Sequence, residues 1–305
     1  MLSKIVQAFK ERDIEALDAM VEPTFRVLNT RDDFKSALML SCDKIKHLEK
    51  ISELEADCII LNLEDGISKE DKPLALALCA IYLVKHKECS KKLVVRVNAL
   101  DDGGYDEITY LNQFMPDAIR VSKIKTKKEV ESVLALLNDG IELHLSIETS
   151  QAWHNLTTLR VNQRVTTFYL GILDLLADMR LPQSLVKIDN PTINYILTHF
   201  LISSKAMGVK AVSFVYQEFE KLDEFSEWIE FERSLGYDAK ACISPRQVSL
   251  VNEVFFHSQL EIQRAKEIVR LFEINRDSGV TGFVHAEYGF IDEPIYKGAL
   301  ALLNC

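Results

Sequence analysis

The chain has 305 residues, 48% of them hydrophobic and 27% charged, with a formal net charge of −10. That is ample for one large core and ordinary for a globular protein. The balance of 36 basic against 46 acidic residues argues against nucleic acid as a main partner, because phosphate binding needs a basic surface; a local basic pocket for a small anion stays open.

The first segment, "MLSKIVQAFKERDIEALDAM", reads as an amphipathic helix with charges throughout and no signal-peptide core, so residues 1–35 form a helical extension. No run of 18 apolar residues occurs anywhere, and the six cysteines are scattered without a CxxC. The expectation is a cytoplasmic protein with buried thiols and no membrane partner.

Short apolar runs then alternate with longer amphipathic stretches. The runs are 36–41, 58–65, 92–98, 118–124, 142–149, 165–174, 210–216 and 239–244. Helical patterns lie between most of them, among them 44–56, 72–87 and 127–140. In the first, Ile45, Leu48, Ile51 and Leu54 put an apolar stripe on one face. Strand–helix alternation implies parallel strands with helical crossovers. Eight runs predict an α/β protein, a (β/α)₈ TIM barrel over 36–257, and the absence of GxGxxG and GxxxxGK[ST] loops argues against an open sheet. The last stretch, 258–305, reads as a C-terminal helix and lid segment, and the tail from roughly 246 to 305 is too small for a core of its own and is expected to dock on something.

Several runs end in polar groups: Glu64 and Asp65, Arg96, Lys123, Glu148 and Asp174. In a barrel the C-terminal strand ends converge on one mouth. Glu148 and Asp174, about one strand–helix–strand repeat apart, would then be neighbours. Two carboxylates, waters and a chelating substrate make a six-coordinate oxygen site suited to magnesium. Arg96 could hold a substrate carboxylate or stabilise an enolate oxygen. Plain structural roles are open to the same residues: Arg96 can pair with Glu64, Asp65 can cap a helix, and Asp178 reads as structural. The seven histidines show no metal-ligand spacing; His144 reads as core or barrel wall, and His285 is the one to watch.

The motifs resemble those of the HpcH/HpaI aldolase and citrate lyase β-subunit group. "IILNLEDGI" is similar to that family's D-L-E-D segment, "VVRVN" to its R-V-N, "LSIET" to its I-E-T and "LGILDLLADM" to its G-x-x-D-L-x-x-D. "YDAKACISPRQV" resembles G-K-x-x-I-H-P-x-Q, and "GFIDEPIYKGA" resembles the C-terminal lid motif of members acting on citryl-, malyl- and citramalyl-CoA. The likeness runs from about residue 36 to the end. It departs from the family at Asn62, where D-L-E-D begins with Asp, and at Ser244, where I-H-P has His. It departs most after the first strand, where "LMLSCDKIKH" replaces P-G-N/A-R-P and Lys44 or Lys46 stands in for an arginine, supplying charge without a bidentate fork.

The resemblance implies a (β/α)₈ fold and magnesium as cofactor, with Glu148 and Asp174 as metal ligands. Arg96 would bind the keto-acid and stabilise developing charge, supported by Glu64 and Asp65, with Lys44 on the substrate side and Asp292 as the lid's general acid/base. It implies a carbon–carbon lyase that cleaves or forms a 3-hydroxy acyl-CoA, such as citryl-, malyl- or citramalyl-CoA, to a 2-keto acid plus an acyl thioester. A CoA-independent aldolase of hydroxy-keto acids and a non-catalytic keto-acid-binding paralogue are the alternatives. Family members are commonly trimers or hexamers, so a homo-oligomer, as a homotrimer, is expected.

Overall fold

The computed structural model describes all residues except 25, 26, 32, 257, 258, 304 and 305, so His257 and Cys305 lie outside the described residues. It divides into two units, residues 1–255 and 256–305.

The first unit is built on eight parallel strands: β1 (Ser36–Ser41), β2 (Cys58–Asn62), β3 (Lys92–Val97), β4 (Ala118–Val121), β5 (Glu142–Ile147), β6 (Val165–Leu170), β7 (Lys210–Val212) and β8 (Lys240–Cys242). Their order is β7-β6-β5-β4-β3-β2-β1-β8, with every pair parallel. A single parallel bridge between Ser213 and Lys240 joins the two ends. There Ser213 N–H donates to Ala239 O at 3.1 Å and Ala241 N–H to Ser213 O at 3.3 Å. The predicted (β/α)₈ barrel is the observed architecture.

The strands are buried on both faces, which is why they read as continuous apolar runs; β2, β3 and β5 are buried at every position. Small interior residues, Ala37, Cys58, Ala118, Ala239 and Ala241, leave room for Tyr169 and Phe34. Polar groups cross the same interior. Lys92 Nζ pairs with Glu142 at 2.8 Å, and His144 lies between Glu142 (3.3 Å) and the Tyr169 hydroxyl (3.4 Å). Burial pushes the His144 imidazole down to about 4. It is therefore neutral at pH 7, donating through Nε2 to Glu142 and accepting at Nδ1 from Tyr169, a core histidine.

Local signals set the helix starts. Thr126 and Glu129 form a reciprocal capping box, and Thr149, Asn190 and Ser244 each accept a backbone N–H of the next turn. Ser244, in place of the family's histidine, is thus an N-cap. Two helical expectations change. The stripe over 44–56 is not one helix but a single turn, Ile45–Leu48, followed by a 3₁₀ turn, Ile51–Glu53. Strict three-residue spacing matches 3.0 residues per turn better than 3.6. The N-terminal helix is broken into Leu2–Glu11 and Ile14–Asp18, because Arg12 adopts a left-handed φ of 56° and Asp13 caps the second piece. Ile5, Ala8 and Leu17 join the main core, so this extension is packed structure.

The second unit has a long helix, Gln259–Asp277, an antiparallel hairpin of β9 (Gly282–His285) and β10 (Gly289–Asp292), and a final helix, Glu293–Leu303. It buries a small cluster of its own, Ala265, Ile268, Phe272, Ile291 and Ala299. Among the described residues no helix is long and apolar enough to cross a membrane.

Candidate active site

The C-terminal strand ends enclose a cavity of about 270 Å³ whose lining includes Arg96, Arg120, Glu148, Asp174, Asp65 and Gly171. A second cavity of about 270 Å³ opens at the opposite face, around Phe34, Lys35, Asp57 and Lys92. In this fold that lower face serves stability.

Arg96, near the end of β3, organises the mouth. Its Nη2 lies 2.6 Å from Glu64, 3.4 Å from Asp65 and 3.6 Å from Glu148, and its Nε donates to Ser122 at 3.1 Å. Glu64 and Asp65 follow β2 in a turn closed by Asn62. The Asn62 amide donates to Asp65 O at 2.7 Å and accepts from the Glu64 N–H at 3.4 Å. An ionised aspartate could not do both.

Glu64 is buried and does not line the cavity; it backs Arg96 and also receives Lys123 Nζ at 3.4 Å. Burial pushes its carboxyl up to about 7, against the pull of Arg96, with Asp65 and Glu148 adding to the rise. Asp65 moves the other way: burial opposes its charge, but the hydrogen bond with Glu64 and the charges of Arg96 and Lys123 outweigh it and lower it. The two neighbouring acids are thus pushed in opposite directions, Glu64 up and Asp65 down.

A raised carboxyl keeps its proton in the folded state while the unfolded chain has released it. Its contribution to stability is full below about 4.5 and is lost as pH rises through about 7. Glu64→Gln should lack that loss: its melting temperature, relative to the wild type, should climb between pH 5 and pH 8 in magnesium-free buffer. A constant difference across that range would show that Glu64 is ionised throughout.

Glu148 directly follows β5 and is 2% exposed. Its Oε1 accepts the Lys123 backbone N–H at 2.7 Å, from a residue held at a left-handed φ of 53°. Behind it stands Gly171, where a Cβ would lie 2.5 Å from Glu148 Cβ and 2.7 Å from Oε2. No side chain fits there unless the carboxylate moves.

Asp174 was expected at the end of a strand running to residue 174. β6 instead stops at Leu170, and Gly171 opens the helix Ile172–Asp178, so Asp174 sits in that helix's first turn, exposed at the cavity wall. Asp178 accepts the backbone N–H and hydroxyl of Ser150 at 2.6 and 2.5 Å, a structural tie.

Lys44 and Asp292 are the remaining expected residues. Lys44 is exposed, pairs with Asp43 at 2.6 Å and does not line the cavity. Asp292 ends β10 in the second unit, where it accepts the Ile295 N–H at 3.1 Å at the start of the final helix.

Arg120 is the site residue that sequence reasoning passed over. It lies on β4 in register with Arg96, 5% exposed, with its guanidinium 4.0 Å from the Tyr169 ring centroid and its Nε donating to Ser146 at 2.9 Å. Burial, with Arg96 nearby, pushes it down to about 10. The available signal was parity: Arg120 and Ser122 share a face, with Ser122 directly following β4.

Glu148 and Asp174 fit a hard divalent cation. Both offer carboxylate oxygens at one cavity, and Glu148 Oε2 faces Arg96 Nη2 at 3.6 Å. Among the described residues no group of three or more His, Cys, Asp or Glu side chains could hold a metal, so waters and ligand oxygens would complete the shell, as magnesium prefers.

A parallel eight-stranded barrel with three carboxylates and two arginines lining the cavity at its C-terminal mouth defines an enzyme-like site for a small anion. The family model of HpcH/HpaI aldolase/citrate lyase matches residues 35–245, and the chain belongs to that family. It is 30% identical over 241 residues to a (3S)-malyl-CoA thioesterase of Cereibacter sphaeroides, covering 79% of this chain and 83% of that one. It is 25% identical over 261 residues to the citrate lyase subunit beta of Leuconostoc mesenteroides subsp. cremoris, covering 82% and 85%. The solved CitE protein of Mycobacterium tuberculosis, in complex with magnesium, acetoacetate and coenzyme A, shares the fold with a TM-score of 0.68 and 20% identity, over 88% of this chain and 97% of that one.

Proposed function

We propose that this protein is a magnesium-dependent carbon–carbon lyase that cleaves, or in reverse forms, a 3-hydroxy acyl-CoA such as citryl-, malyl- or citramalyl-CoA, yielding a 2-keto acid and an acyl thioester. The observation that carries this reading is the convergence of buried Glu148 and Arg96 and exposed Asp174 on one cavity at the barrel mouth. The names of the relatives support it: one acts on malyl-CoA, one is a citrate lyase subunit, and the CitE protein binds magnesium and coenzyme A.

Magnesium held by Glu148 and Asp174 would supply Lewis-acid polarisation of the substrate's hydroxyl and carboxylate oxygens. The protein's own groups do the rest. Arg96 presents its guanidinium where negative charge develops as the bond breaks, and Glu64 and Ser122 fix its direction beforehand. Asp292, assigned on "GFIDEPIYKGA", accepts the hydroxyl proton as the carbon–carbon bond breaks and returns it to the carbon of the resulting thioester enolate, giving the acyl thioester. A homotrimer in the cytoplasm is part of the proposal, supported by the same motif resemblance and by the buried free thiols of Cys42, Cys58, Cys79 and Cys242.

The test is an NADH-coupled assay for pyruvate, glyoxylate and oxaloacetate released from the three thioesters. Release of one keto-acid that requires magnesium and stops with chelator is expected. Binding of keto-acid without release from any thioester would replace the lyase reading with a binding protein.

A further inference from the structure

The cavity holds one positive charge that the protein leaves uncommitted. Arg96 is surrounded by three carboxylates, and Lys123 leans on Glu64. Arg120 differs. Among the described residues no carboxylate pairs with it; it has the Ser146 hydroxyl and the Tyr169 ring face, and its Nη1 is buried with no hydrogen-bond partner. An unpaired buried guanidinium is costly, and such groups persist where a ligand completes them. Arg120 also lies deeper than the proposed metal ligands: Ser146, which it contacts, precedes Glu148 by two residues on the same strand face.

We propose that Arg120 is a specificity-determining residue that receives a second carboxylate of the substrate, so that the site selects 2-keto dicarboxylates over 2-keto monocarboxylates. The proposal rests on keto-acid binding at this cavity, as argued above. The keto-acid end lies toward Glu148 and Asp174, and the far carboxylate meets Arg120 at the cavity floor. A charge-assisted hydrogen bond of this kind corresponds to about 10–100-fold in affinity.

The experiment is calorimetric titration of the full chain, with magnesium, by oxaloacetate and by pyruvate, for the wild type, Arg120→Gln and Arg120→Lys. The wild type should bind oxaloacetate at least about 10-fold more tightly. Arg120→Gln should lose that preference and keep pyruvate affinity within about threefold, and Arg120→Lys should retain part of it. The ligand-free Arg120→Gln protein should melt at or above the wild-type temperature, since an unpaired buried charge is gone; a structural arginine would lower it. A wild type that binds pyruvate without preferring oxaloacetate overturns this assignment and leaves the lyase reading standing. So does Arg120→Gln that keeps the preference, weakens both ligands equally or fails to fold. A wild type that binds neither keto-acid overturns both.

Discussion

Glu148→Gln lowers keto-acid release by about 10²–10³-fold and weakens magnesium binding, with the barrel intact. The amide keeps an acceptor for the Lys123 N–H and nearly the same shape against Gly171, so the turn after β4 and the packing survive. What it removes is the negative charge facing the cavity. Two measurements separate this from general damage. Magnesium titration should show a weakened site, while circular dichroism and the melting temperature without metal stay near wild type. Glu148→Gln with unchanged metal affinity and turnover would show that this carboxylate only shapes the turn.

The largest effect on stability is expected from Lys240. Its side chain on β8 is fully buried, donating to Glu232 at 2.7 Å and to Phe214 O at 2.9 Å, over the Phe214 ring. Glu232 also accepts the Ser213 hydroxyl at 2.6 Å, but among the described residues its Oε2 has no hydrogen-bond partner, and burial already raises its carboxyl. Lys240→Met strands that carboxylate, a loss of about 3–5 kcal/mol for a broken buried pair. The double change Lys240→Met with Glu232→Leu should recover more than half, because two apolar groups of similar size owe no desolvation. Urea denaturation of the two single variants and the double variant measures the coupling. Equal losses for Lys240→Met and the double variant would mean that packing, not the stranded charge, is what Lys240 supplies.

The barrel was legible because a strand buried on both faces writes itself as an unbroken apolar run, and eight of them alternate with helices. So were Glu64, Arg96 and Glu148, since polar residues that end such runs have only the mouth to go to. Less was legible where chemistry and pattern disagree. The run 165–174 is apolar on both sides of residue 171, from Phe168 to Leu170 and at Ile172 and Leu173, and nothing in its hydrophobicity marks the change from strand to helix; Gly171 was the only sign. Arg120 was missed because an arginine inside "AIRVSKI" looks like an interruption of a wall rather than a group facing inward. Inside the barrel it lies over the Tyr169 ring and donates to Ser146. The relation between Asp292 and the mouth is a matter of motif alone, since that residue belongs to the second unit.

The ring of strands has a kinetic consequence. From β1 to β7 every strand pairs with its neighbour in sequence, so the sheet can grow by short loop closures, each with a modest entropic cost. The remaining step joins Ser36 to Lys240 and Leu38 to Cys242, residues from opposite ends of the barrel sequence, with the seam to β7 held by one bridge. Contacts of that separation form slowly. The barrel therefore has a natural last step in folding and a natural first place to open. Amide hydrogens along β7 and β8 would exchange ahead of those in β2 to β5, while the mouth residues Glu64, Arg96 and Glu148 ride on the slowest-exchanging part.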